Sequence, residues 1–181
     1  MRKITAGLAI TLDGVVESPS SWMLFDDEMN AVISEGIGRS DAILLGRRTY
    51  LQFARLWPSL GSDVPLADFM NSTPKYIVSS TLGTLDWANS SLVTGDLAAE
   101  LARLRDQPGK NIQVPGSPTL VRSLLRDGLL DELSLMIQPI VLGSGMRLFD
   151  EMTEQVSLKL VESRTLSTGV LSVTYVLPAS G

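Results

Sequence analysis

The stretch Asp41-Ala42-Ile43-Leu44-Leu45-Gly46-Arg47-Arg48-Thr49-Tyr50 decides how this chain folds. Ala42 to Leu45 run apolar without alternation, the pattern of a strand covered on both faces of a parallel sheet. Gly46 breaks the run, and a helix is predicted from Arg47 to about Leu56. Strand, glycine and helix N-terminus in this order form the ligand-binding unit of open α/β sheets. Its charge is unusual. Arg47 and Arg48 occupy the first helical turn, where the helix dipole is already positive, at a cost of up to ~1 kcal/mol each unless an anion compensates. One reading is a phosphate seat, with Thr49 as an added hydroxyl and an arginine taking a second phosphate. The other is a pair of solvated arginines on a surface helix.

Working outward, Ile4, Ala6, Leu8 and Ile10 alternate with Thr5, Gly7, Ala9 and Thr11, the period of a strand. The run ends at Asp13-Gly14 without the small-residue cleavage site of a signal peptide, so a first strand and a cytoplasmic protein are expected. A polar loop from Asp13 to Ser21 leads to a helix over about Asp26–Ile37, with acids in its first turn. Tyr76-Ile77-Val78, Leu92-Val93 and Ile112-Gln113-Val114 read as further strands. Asp96 caps a helix with a Leu97/Leu101/Leu104 stripe. Ser117 as N-cap and Pro118 at the first position start another, lined by Leu120, Val121, Leu124 and Leu125 and stopped at Gly128. Three runs rich in β-formers follow: Leu133/Leu135/Ile137, Val156/Leu158/Leu160 and Val170/Val173/Val176. Alternating strands and helices with a strand-rich tail predict one α/β domain over residues 1–181, its sheet mostly parallel with an antiparallel C-terminal edge.

Composition narrows the chemistry. The 181 residues include neither cysteine nor histidine. That removes disulfides, thiolate nucleophiles, Ser-His couples and His- or Cys-ligated metals, and no oxygen-rich metal loop is visible. With 15 basic against 20 acidic residues the net charge is −5, which argues against nucleic acid as partner. No apolar run reaches the ~20 residues of a membrane span.

Two other strand ends repeat the first junction. Gly116-Ser117-Pro118-Thr119 would bring backbone N–H groups and hydroxyls to a pyrophosphate, or it is an ordinary strand-to-helix turn. Ser79-Ser80 forms a third hydroxyl cluster. Neither a complete G-x-G-x-x-G nor a P-loop lysine is present. Among carboxylates, Asp13 follows the first strand, and Asp26, Asp27 and Glu28 cluster at a helix start near Trp22. An acid in an apolar mouth beside Trp22 would serve as proton donor or substrate anchor, with Asp27 the catalytic candidate and Asp13, Trp22, Asp26 and Glu28 the substrate-binding ones. Acids stabilising a helix N-terminus are the plainer alternative.

Taken together, Ala9 to Gly14, Asp41 to Tyr50, Val78-Ser79-Ser80, Gly116 to Leu120, Gly128-Leu129-Leu130-Asp131-Glu132-Leu133 and Pro139 to Gly145 occur in an order that spans nearly the whole chain. This pattern resembles the dihydrofolate reductase-like superfamily, especially the reductase domain of riboflavin biosynthesis and its stand-alone relatives. The resemblance implies a three-layer α/β/α fold and a homodimer. It implies NADPH as hydride donor, held at Gly46, Arg47, Arg48, Thr49, Ser79, Ser80 and Gly116 through Leu120, with Ala9 and Val16 bordering the nicotinamide. The activity implied is reduction of a C=O or C=N of a small heterocyclic or sugar-like substrate. Dihydrofolate reduction and a non-catalytic NADPH-binding sensor stand as alternatives. Pro115-Gly116-Ser117 occupies the place where the riboflavin enzymes carry an acid and two glycines. The His and Cys ligands of an attached zinc deaminase are missing from these residues.

Overall fold

A computed structural model describes residues 1–178. Its strands are β1 (Ile4–Thr11), β2 (Ser40–Gly46), β3 (Lys75–Val78), β4 (Ser90–Val93), β5 (Asn111–Pro115), β6 (Glu132–Gln138), β7 (Lys159–Thr165) and β8 (Leu171–Val176). They form one sheet in the order β4-β3-β2-β5-β1-β6-β8-β7. Pairings among β1 to β6 are all parallel. The C-terminal edge is antiparallel, as expected, because β8 runs against β6 and then pairs with β7 on its outer side.

The helices are α1 (Asp27–Gly38), α2 (Arg47–Leu56), α3 (Ala67–Ser72), α4 (Leu97–Asp106) and α5 (Pro118–Arg126). Caps explain two of the starts. The Asp26 carboxylate accepts a hydrogen bond from Met29 N at 2.8 Å, and that of Asp96 accepts from Ala99 N at 2.8 Å. The fifth start differs from the sequence reading. Ser117 lies in the left-handed region (φ 59°) and makes no side-chain cap, because the turn needs its hydroxyl elsewhere.

Strand parity sorts the core into layers. On β2, Ala42 and Leu44 face one way and join the α4 and α5 residues Leu101, Leu104, Val121 and Leu124. Ile43 and Leu45 face the other way, against Tyr50 of α2, Met70 of α3 and Trp87. Farther along that second face, Met29 of α1 packs on Leu166 and Val170. Two helical layers with a sheet between them give the three-layer α/β/α fold.

Two sequence readings shift. The apolar alternation at Val156 and Leu158 precedes the strand, which begins only at Lys159. The short helix α3 carries one apolar face in six residues and gives no periodic signal. A buried lysine holds its C-terminal end: Lys75 Nζ donates to the carbonyls of Met70 (2.9 Å) and Thr73 (2.8 Å) and lies 4.4 Å from the centre of the Trp87 ring.

Candidate active site

Two helices of the second face, α1 and α2, stand apart. Between α1 and α2 the sheet is left open, forming a cleft of about 980 Å³ over β5, β1 and β6. Ala9 and Val16, both buried, close its upper end together with Thr49 and Gly116. Gly14 N donates to Thr11 O, and Leu148 N donates to Gly14 O; these bonds hold the loop that presents Val16.

The two glycine junctions meet here. Gly46 N donates to Ser117 Oγ at 2.9 Å, joining the start of α2 to the start of α5. This is where the Ser117 hydroxyl goes instead of capping its own helix. Gly116 has φ +80°, a conformation that favours glycine, and a Cβ there would stand 3.8 Å from Thr49 Cγ2. The starts of α2 and α5 therefore lie side by side at the carboxyl ends of the neighbouring strands β2 and β5.

The other residues proposed for the cofactor flank these helix starts. Arg47 and Arg48 are exposed, and among the described residues neither forms an ion pair, whereas Arg2, Arg105 and Arg164 do. Arg48 faces the cleft, as do Ser117 and Pro118. Thr119 is exposed, and Leu120 is buried in the core beside Gly46. Ser79 follows the strand end beside Gly46, through the Gly46–Val78 pairing, and its hydroxyl accepts from the N–H groups of Thr81 and Leu82 (3.2 and 3.1 Å). Ser80 is exposed next to it. From β3 to β1 the strand ends cover roughly 14 Å at about 4.8 Å per strand, the scale of an extended dinucleotide.

The acids proposed from the sequence are dispersed. Asp26 caps α1. Glu28 accepts from Ser167 N (2.7 Å) and Ser167 Oγ (2.8 Å). Asp13 accepts from Thr11 Oγ1 (2.7 Å) and from Gly143 N (2.8 Å), with Arg147 at 3.7 Å. The Thr11 hydroxyl, then the Gly143 N–H, hold its carboxyl down at about 2. Trp22 donates from Nε1 to Glu17 O (2.8 Å) and lines a separate depression of about 360 Å³ with Val15 and Ile140. Asp27 is exposed in the first turn of α1, without a hydrogen-bond partner among the described residues. None of these five lines the cleft.

Other polar groups do line it: Thr5 on β1, Gln113 on β5, Ser134 on β6 and the carboxylates Glu35, Glu132 and Glu162. For Thr5, Gln113 and Ser134 a signal was present in the parity of the sequence. A strand covered on both faces reads as apolar throughout, so hydroxyl and amide residues at matching alternate positions of β1, β5 and β6 mark a face without a helix above it.

The model of the family described as RibD C-terminal domain matches residues 2–172. A relative of uncharacterised function, YyaP of Bacillus subtilis (strain 168), is 32% identical over 181 residues, covering 96% of this chain and 94% of its own. Among solved structures, a Shewanella sp. PV-4 protein named for riboflavin biosynthesis superposes with a TM-score of 0.79 at 22% identity, covering 98% of this chain and 99% of that one. The dihydrofolate reductase of Enterococcus faecalis, solved with NADP(H), superposes with a TM-score of 0.64 at 14% identity, over 97% of this chain and 96% of that one. The fold is thus dihydrofolate reductase-like, and the family match covers nearly the full length: the chain belongs to the RibD C-terminal domain family.

Proposed function

We propose that this protein is an NADPH-dependent reductase of a small heterocyclic or sugar-like substrate, a single-domain cytoplasmic homodimer akin to the pyrimidine reductases of riboflavin biosynthesis. One observation carries the reading: the Gly46–Ser117 hydrogen bond joins two helix N-termini beside Arg47 and the cleft-lining Arg48, which form no ion pair among the described residues. The residues fit the cofactor. Gly116 leaves its backbone open to a pyrophosphate, and Arg47 or Arg48 supplies the fork for a 2′-phosphate.

When bound, NADPH supplies the hydride that reduces a C=O or C=N carbon. The chain's part is to seat and orient. The starts of α2 and α5 would hold the phosphates, Ser79 and Ser80 would border the adenosine, and the buried Ala9 and Val16 would keep water from the nicotinamide. The proton comes from water or a carboxylate. Asp27 stands outside the cleft lining, two residues along the chain from Phe25, which lines it, and it is the sequence-proposed acid free of an internal hydrogen bond among the described residues.

The decisive test is calorimetric titration with NADPH and NADH. Arg47→Ala and Arg48→Ala are expected to weaken NADPH about tenfold or more while NADH changes little, as for a lost charge-assisted bond to phosphate. Equal loss of both cofactors would overturn 2′-phosphate recognition, and no binding by the parent protein would overturn the reading. Asp27→Asn is expected to lower kcat by about tenfold or more with KM for NADPH unchanged; an unchanged kcat assigns the proton to solvent. Light scattering of the purified protein checks the dimer.

A further inference from the structure

The cleft continues well past the nicotinamide end. From Ala9 to Thr5 it follows four residues of β1, about 13 Å at 3.3 Å per residue. Its floor there is built of hydrogen-bonding side chains in fixed positions. Thr5 Oγ1 donates to Gln113 Oε1 at 2.8 Å, which orients the amide so that its Nε2 stands over Gly7. A Cβ on Gly7 would come within 3.1 Å of that nitrogen, so glycine keeps the donor accessible. Beside it, Ser134 Oγ and Thr174 Oγ1 share one hydrogen bond at 2.9 Å. One hydroxyl proton of that pair is used, and the other is free to donate.

The charges at this end cancel. Three carboxylates line it (Glu35, Glu132 and Glu162) against two guanidinium groups (Arg39 and Arg164), leaving −1; Lys3, on Glu132 at 2.6 Å, brings the sum to zero. Arg164 is engaged by Glu35 (2.8 Å) and Glu162 (2.6 Å). A dianionic phosphate entering here gains little from the field and meets carboxylates already in place. A sugar diol instead finds an amide donor, hydroxyls and carboxylate acceptors spaced along the floor.

Resting on the reductase reading above, we infer that this end of the cleft is a hydroxyl-recognising subsite, so that the substrate is a heterocycle carrying an unphosphorylated glycosyl or polyol group. The probes are uridine and uridine 5′-monophosphate, titrated by calorimetry into the full chain with and without saturating NADPH. Uridine is expected to bind at least tenfold more tightly than its monophosphate. The double variant Ser134→Ala/Thr174→Val is expected to weaken uridine about five- to tenfold while leaving NADPH affinity unchanged. Gln113→Leu, read on the same protein, is expected to act in the same direction.

Equal or tighter binding of the monophosphate, lost in Arg39→Gln, would overturn the subsite in favour of a phosphate seat. Absence of binding by either probe would overturn it too. Failure of NADPH to bind, with uridine still preferred over the monophosphate, strikes the reductase reading and leaves the subsite standing.

Discussion

The two faces of β1 carry opposite assignments on one strand. Ile4, Ala6, Leu8 and Ile10 are each at most 5% exposed and packed toward α4 and α5. Thr5, Gly7 and Ala9 look into the cleft on the other side. The same backbone thus supplies a packed core on one face and a working surface on the other. The difference teaches where the stability resides: in the apolar layer, which leaves the open face free to keep polar side chains that contribute little to folding.

Mutations can break that comparison directly. Leu124→Ala, in the packed layer, is expected to cost about 2–5 kcal/mol in urea unfolding, whereas Thr5→Ala on the open face is expected to cost less than about 1 kcal/mol. Similar costs would mean that the cleft floor is part of the folding core. A smaller effect concerns Lys75, 1% exposed on the cleft side of the sheet, whose pKa burial lowers to about 8. Between pH 8 and the unfolded value of 10.5 the unfolded chain holds the proton that the native state has released. Stability should therefore rise with pH across that window, by roughly 1–3 kcal/mol, and Lys75→Met should abolish the rise. A flat wild-type profile between pH 8 and 9.5 would show the ammonium to be fully compensated by its three carbonyl acceptors.

The smallest effect is at Asp13. Its lowered pKa stabilises the native loop above the ordinary carboxylate value of 3.8, and that contribution disappears as pH falls toward 2. Asp13→Asn should flatten the acid limb of the stability profile between those values, monitored by near-ultraviolet circular dichroism, and leave the neutral-pH spectrum unchanged.

How much was legible in the sequence depended on the range of the interaction. Leu97, Leu101 and Leu104 declared their helix through period alone, and Asp96 marked its start through a contact three residues away. Gly46 and Gly116 were visible as strand-end glycines, but only the bond from Gly46 N to Ser117 Oγ, 71 residues away, brings their two turns together. The acids near Trp22 looked like a cluster because they are neighbours in the chain. In space Asp13 turns to Gly143, Glu28 to Ser167 and Asp26 to its own helix. Short side chains find the nearest unsatisfied N–H, and which N–H is nearest depends on loops more than a hundred residues away.

The sequence by itself determined the α/β alternation, the packed strand at Ala42–Leu45, the two glycine turns and a chemistry without imidazole or thiol. Those follow from local propensity, periodicity and residue inventory. Tertiary structure alone decided that α1 and α2 stand apart and that the polar faces of β1, β5 and β6 form one floor. It also put Glu35, Glu132 and Glu162 into the cleft. Strand order and register set those neighbours, and they come from the packing of the whole apolar layer, a sum over many side chains that no short window contains.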